Sequence, residues 1–224
     1  MLSPQDIDLL SSSYGFWNHL NESQKELVLN NISVLQYQPG DSIHRGDYDC
    51  AGLFLVKKGV LRVYILSEEG REITLYRLYK GDVCILSASC LLENITFDVH
   101  IDSESYCEIL LLDSSTFDKL SQQNIYVENF SYKIAADRFS DVMWAMQQIL
   151  FMSFDKRLAV FLMDEISKTG SDTIRLTHEQ IARYMGSARE VVSRMLKYFA
   201  NEGIVELSRG SIKIIDKEKL RSLI

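Results

Sequence analysis

Arg189, Glu190, Ser193, Arg194 and Lys197 fall within nine consecutive positions near the C-terminus. The chemistry that such a set can do is recognition. An arginine donates two parallel bonds to guanine O6 and N7, and a glutamate accepts from a cytosine amino group. Lys197, one helical turn beyond Ser193, would lie near backbone phosphate. Glu190 and Arg194 are four apart, so they also suit an intrahelical ion pair on a solvated face. The two readings are compatible, since the pair would hold the arginine in place.

The flanking residues say how this set is held. Thr177 is a good N-cap, and Ile181, Tyr184 and Met185 then fall on one apolar helix face. Gly186 breaks that helix. Ser187 is expected to cap a second helix running from Ala188 to Asn201, closed by Gly203. Val192, Met195, Leu196 and Phe199 recur at intervals of three and four and form the stripe to bury. Two short helices joined by a glycine turn predict a helix-turn-helix. The residues crowded at the start of the second helix are those that meet base edges in the major groove. Then come Ile204–Ser208, Arg209-Gly210 and Ser211–Ile215, two short strands about a tight turn, which reads as a wing. Arg209 and Lys213 would give it a phosphate-facing edge; the same charges also suit a plain solubilised hairpin. The candidate DNA-contacting residues are therefore Thr177, Ser187, Arg189, Glu190, Ser193, Arg194, Lys197, Arg209 and Lys213.

The run G-S-A-R-E-V-V-S-R-M-L resembles the recognition helix of the cyclic-AMP receptor protein/FNR family of bacterial transcription regulators. Arg189, Glu190 and Arg194 match that family's base-contacting positions, and Ser193 fits its FNR-like branch. The resemblance implies a homodimer on a palindromic operator of double-stranded DNA, a TGA-like half-site core, and RNA polymerase as a further partner.

A net charge of −7 argues at first against a DNA ligand. Its distribution answers the objection. From Thr173 onward ten Lys/Arg stand against six Asp/Glu, a balance of +4, whereas the preceding 172 residues carry 14 against 25, a balance of −11. Local balance, not the total, is the electrostatic footprint of a nucleic-acid binder. The opening residues have neither the basic start nor the apolar core of a secretory signal, and no apolar run reaches membrane-spanning length. A cytoplasmic protein with four reduced cysteines and no membrane partner is expected.

Between Ser33 and Lys119 short β-rich runs alternate with glycine turns, including Gly40-Asp41, Gly46-Asp47, Gly70 and Gly81-Asp82. That texture predicts a β-barrel or jelly roll, which can enclose one ligand-sized cavity. The runs L-F-L-V-K-K-G-V-L-R-V-Y-I, E-E-G-R-E-I-T-L and K-G-D-V are similar to successive strands of the same family's cyclic-nucleotide-binding fold. The likeness stops after Gly81-Asp82. Ile85 and Leu86 stand where nucleotide-binding members have Gly and Glu, and Phe97-Asp98 where an arginine and a small hydroxyl residue neutralise the phosphate. A buried phosphate with an aspartate in place of a cation is disfavoured, so cyclic AMP is not the expected effector.

Cys84, Leu86, Ser87, Ser89, Cys90, Thr96, Phe97 and His100 would then line a small pocket of apolar, hydroxyl and thiol groups. Three readings stay open: a small-molecule effector, which is favoured; a haem or other metal on thiolate or imidazole; and thiol oxidation. Free cysteines also serve as small buried hydrophobes, and Cys-x5-Cys is not a metal signature. No dedicated metal site is predicted. The cysteine-rich N-terminal segment of the family's iron–sulfur branch is absent, since no cysteine precedes Cys50. The chain has no phosphate-cradling loop, zinc-protease helix or nucleophile elbow, and its four histidines are scattered, so an enzyme is not expected.

A proline- and glycine-free stretch, Gln123 to Phe151, predicts one long helix with Phe130, Ile134, Met143, Met146, Ile149 and Leu150 as its apolar stripe. A second copy of the helix would cover that stripe as a coiled-coil-like seam. Asp155–Ile166 is a further amphipathic helix. The expected architecture is α+β: an effector-sensing β-roll at 1–122, a dimerisation helix at 123–152 and a winged helix-turn-helix at 153–224. An effector-free roll on a constitutive DNA binder is the rival arrangement.

Overall fold

The run Leu53-Phe54-Leu55-Val56 is apolar at every position, and a strand with this pattern must be covered on both faces. The computed structural model, which describes residues 2–45, 52–70, 72–85 and 99–224, does this with helices on one side and a second sheet on the other. Contacts divide the chain into two units, Met1–Leu66 with Leu75–Val142, and Ser67–Thr74 with Met143–Ile224.

The first unit contains helices α1 (Pro4–Ser13) and α2 (Glu22–Asn30), then strands β1 (Ile32–Tyr37), β2 (Ser42–Arg45), β3 (Gly52–Lys58), β4 (Leu61–Leu66), β5 (Glu72–Leu78), β6 (Val83–Cys84), β7 (His100–Ser103) and β8 (Cys107–Asp113). Helices α3 (Ser114–Gln123) and α4 (Ile125–Phe151) follow, and α4 runs on into the second unit. The strands form two four-stranded sheets, β1-β8-β3-β6 and β2-β7-β4-β5. Leu53 and Leu55 join Leu110 and Leu112 beneath α1, α2 and α3, while Phe54 and Val56 face inward with Ile109, Leu61, Val63 and Ile101. Gly59 turns β3 into β4 at φ 91°, where a Cβ would stand 2.4 Å from the Tyr106 carbonyl oxygen, so only glycine fits.

Two devices fasten the opening helices. Ser3 and Asp6 form a reciprocal capping box on α1, and Asn21 and Gln24 do the same for α2. The buried Asp6 carboxylate also meets Lys57 Nζ at 2.9 Å, and Lys57 reaches Glu108 at 3.3 Å, tying α1 to β3 and β8.

The second unit takes the end of α4 and then α5 (Phe154–Thr169), β9 (Thr173–Ile174), α6 (His178–Met185), α7 (Arg189–Asn201), β10 (Val205–Ser208), β11 (Ser211–Ile214) and α8 (Lys217–Arg221). Leu158, Leu162, Ile181, Val192, Leu196, Phe199, Ile212 and Leu220 make its core. The fold is α+β, a β-roll of the cyclic-nucleotide-binding type, a long helix and a winged helix-turn-helix.

Several local expectations change. The hairpin after α7 is a three-stranded sheet, because Ile174 and Thr173 of β9 pair with Ile212 and Lys213. Ser187 does not cap α7; Ala188 occupies the cap position and makes no side-chain bond. Ser187 instead sends its backbone N–H to the Ala182 carbonyl at 2.9 Å, completing the end of α6. The long helix starts at Ile125 because Asn124 interrupts it, donating from Nδ2 to the His19 carbonyl at 3.0 Å and accepting from the Tyr126 amide. Phe130 and Ile134, expected on the free stripe of α4, lie on its other side: Phe130 packs edge-on to Phe16 at 5.1 Å, and Ile134 joins the same core. A 3.6-residue period gives a face but not the neighbour that covers it, and here the helix has two apolar faces.

Candidate nucleic-acid interface

The helix pair is set by its ends. Thr177 Oγ1 accepts from the Gln180 amide at 3.2 Å, and Gln180 Oε1 accepts from the Thr177 amide at 2.8 Å, so α6 begins with both donors satisfied. Gly186 ends it in the left-handed region, φ 57° and ψ 43°, which turns the chain sharply into α7. Arg157 of α5 donates to the Met185 carbonyl and holds that corner from beneath.

Val192, Leu196 and Phe199 are fully buried, and this orients α7. Its opposite side carries Arg189, Glu190, Arg194 and Lys197, all exposed, with Ser193 half-buried among them. The Glu190–Arg194 ion pair does not form: among the described residues neither has an ionic partner. Three basic residues in and around α8 behave differently. Lys217 meets Asp172 at 2.6 Å, Lys219 meets Glu202 at 3.2 Å and Arg221 meets Glu218 at 2.8 Å. Charges are thus matched around α8 and left unmatched on the outer face of α7.

Two open depressions adjoin that face. One, of about 600 Å³, is lined by Arg189, Glu190, Ser193, Arg194, Lys197, Tyr198 and Asn201. The other, of about 480 Å³, lies between the start of α6 and the wing turn and is lined by Thr177, His178, Glu179, Arg189, Ser208, Arg209 and Ser211, among others. Arg189 borders both. Of the sequence-derived set, Thr177, Arg189, Glu190, Ser193, Arg194, Lys197 and Arg209 therefore converge on one surface. Lys213 is exposed on β11, opposite Glu206. Ser187 is half-buried at the turn between the helices.

Sequence reasoning missed His178. Its Nδ1 lies 2.8 Å from Ser193 Oγ, joining the start of α6 to the middle of α7. Burial, then the charges of Arg189 and Lys197, hold its pKa below the ordinary histidine value. A contact across fifteen positions and two helices leaves no periodic trace. Tyr198, half exposed at the edge of the same face, was missed because an aromatic on a helix reads by default as core.

In the roll, Cys84 is buried within the inward-facing core beside Tyr76. His100 is half-buried on β7 and stacks on Tyr64 at 5.2 Å. The other candidate pocket residues, Leu86, Ser87, Ser89, Cys90, Thr96 and Phe97, lie outside the described residues. Among the described residues no group of three or more His, Cys, Asp or Glu could hold a metal ion, and no helix is long and apolar enough to cross a membrane.

Comparison with known proteins places both parts. Residues 156–223 match the Crp-like helix-turn-helix domain, and residues 34–124 match the cyclic nucleotide-binding domain. A crystal structure of a regulator assigned to the Crp/Fnr family, from Eubacterium rectale, superposes with a TM-score of 0.90 at 46% identity, covering 94% of this chain and 98% of that one. Electron transport regulator A of Shewanella oneidensis is 26% identical over 201 residues, 83% of this chain and 76% of its own length. The cAMP-activated global transcriptional regulator Vfr of Pseudomonas aeruginosa is 26% identical over 183 residues, 77% of this chain and 84% of its own.

Proposed function

Since the chain belongs to the CRP/FNR family and is a DNA-binding transcription regulator, we propose that it reads a palindromic operator as a homodimer under the control of a small effector held in the roll. The observation that carries the operator reading is the unmatched charge on α7. Among the described residues Arg189, Glu190, Arg194 and Lys197 have no ionic partner, and they stand exposed beside a wing turn bearing Arg209. Guanidiniums and a carboxylate held this way are aimed at groove edges, and the lysine and wing at phosphate. Selection from random duplexes tests this: a two-fold-symmetric site with a TGA-like core supports it, and enrichment of no sequence sinks it.

The dimer is supported by what α4 leaves uncovered. Tyr132, Ala136, Phe139, Met143, Met146 and Leu150 recur at alternating intervals of four and three, the spacing of a coiled-coil seam, and all are exposed. Phe139 is 66% and Leu150 65% accessible. Apolar side chains in such a continuous row mark an association surface. Ile149 flanks the row, and Met143, Met146 and Leu150 are common to it and the sequence-derived stripe. Two copies joined along α4 would present two recognition helices to paired half-sites, in keeping with operator two-fold symmetry.

The effector is not cyclic AMP on this reading. Ile85, which occupies the place of the nucleotide-binding pattern's glycine, is fully buried in the core beneath the helices. Binding shifts the population toward the arrangement in which both recognition helices match the half-site spacing. The division into roll at 1–122, dimer helix at 123–152 and DNA module at 153–224 assigns these roles, and a cytoplasmic site and RNA polymerase as partner complete the proposal. Operator affinity measured against candidate metabolites, and in oxidised and reduced protein, tests the control. An affinity that never changes would leave a constitutive DNA binder.

A further inference from the structure

His178 is the first residue of α6, and its ring serves two surfaces. On one side it lines the cleft shared with Arg189 and the wing's Arg209. On the other, Nδ1 is 2.8 Å from the hydroxyl of Ser193, which belongs to the outer face of α7. A serine hydroxyl has one proton to donate and two lone pairs with which to accept. What it offers a base therefore depends on what it has already given to the histidine.

We propose that His178 sets the hydrogen-bonding polarity of Ser193 toward the bases and so makes one position of the operator read differently with pH. This rests on the groove-facing reading of α7. When the imidazole carries protons on both nitrogens, Nδ1–H must donate to Ser193 Oγ, and the serine proton is free for an acceptor: thymine O4, guanine O6 or N7, or adenine N7. When the ring is neutral with its proton on Nε2, Nδ1 accepts the serine proton, and Oγ presents lone pairs to the amino group of adenine or cytosine. The extra proton comes from solvent, and no other bond changes.

The groups facing the ring decide when the switch operates. Burial, then the charges of Arg189 and Lys197 of α7, oppose protonation. Arg209 of the wing and Glu179 of α6, of opposite charge, line the same cleft. Free protein therefore holds the neutral ring at neutral pH. Backbone phosphate entering the cleft brings negative charge and reverses that bias, so operator binding takes up a proton. A pKa higher in the complex than in the free protein means that the gain in affinity is complete at acid pH. It disappears as pH rises through the complex's own pKa.

The test is operator affinity by fluorescence anisotropy at pH about 6 and about 8.5, with each half-site base pair replaced in turn. Ser193→Ala marks the position concerned as the one where discrimination disappears. There the wild type should move by about tenfold, from cytosine in base toward thymine or guanine in acid, while other positions hold. His178→Gln keeps an amide that donates and accepts but does not titrate, and it should abolish the swing. A wild-type preference identical at both pH values overturns the proposal, as does a swing that survives in His178→Gln. NMR of the His178 ring gives a measurement free of variants: equal titration midpoints with and without operator also overturn it. A wild type that binds no duplex at any pH refutes the groove reading itself, whereas sequence-specific binding with a pH-invariant preference refutes only this role for His178.

Discussion

In the first unit several charged side chains are matched within the chain: Lys57 meets Asp6 and Glu108, Arg77 meets Glu104 at 3.3 Å, and Arg138 of α4 meets Asp141 at 2.7 Å. On α7 of the DNA module, Arg189, Glu190, Arg194 and Lys197 are exposed and have no ionic partner among the described residues. The same residue types thus do opposite work. A matched, part-buried pair holds elements together; an exposed, unmatched cluster costs little to keep solvated and retains its full attraction for an outside partner. Apolar residues divide the same way, between the cores of the two units and the open row along α4.

The largest effect that would sharpen this contrast is at α4. Met146→Asp places a carboxylate in the uncovered row, where a monomer tolerates it and a dimer does not. Sedimentation should then show single chains, and operator affinity should fall by roughly 10²- to 10⁴-fold as bivalency is lost. A dimer that survives Phe139→Asp and Met146→Asp together would remove α4 as the joint.

Next comes the matched triad. Lys57→Met leaves the buried Asp6 carboxylate without its cation and should lower unfolding stability by about 2 kcal/mol in urea titration, with operator affinity per folded molecule unchanged. Burial pushes the Asp6 carboxyl up, but bonds from Lys57 and Ser3 outweigh it and hold it below the ordinary value. Because the folded pKa is the lower one, this stabilisation is present at neutral pH and is lost as pH falls through that depressed value. The advantage of wild type over Asp6→Asn should shrink accordingly in acid.

The unmatched cluster should respond in the reverse sense. Arg189→Ala or Arg194→Ala should cost roughly 1–3 kcal/mol of operator binding and relax discrimination at one position, leaving urea stability intact. An equal loss on all sequences would mark that arginine as a phosphate contact. Smaller still, Thr177→Ala removes the cap of α6 and should cost about 1 kcal/mol of stability. Lys213→Ala should weaken binding to every duplex alike and reduce the salt slope by about one.

How much of this was legible in the sequence follows the range of the forces involved. The helix-turn-helix could be read because Thr177, Gly186 and the stripe Val192, Leu196, Phe199 act within a few residues of themselves. The long strands of the roll showed through glycine turns and apolar runs. Strands β2, β6 and β7 are only two to four residues long and were not seen, since their existence depends on distant partners such as β4 and β3. The same limit hid β9, misplaced Phe130 and Ile134, and concealed the His178–Ser193 contact. Ser187 misled because serine is a frequent N-cap, yet α7 begins one residue later, with Ala188 at the cap position.

The middle of the uncovered row on α4 is methionine, at 143 and 146, rather than leucine or a β-branched residue. Thioether chains bend through three soft torsions and refill irregular gaps at small cost. In the proposed dimer, a joint lined with them would yield in angle while staying shut, and such a regulator would not need to fall apart in order to change its grip.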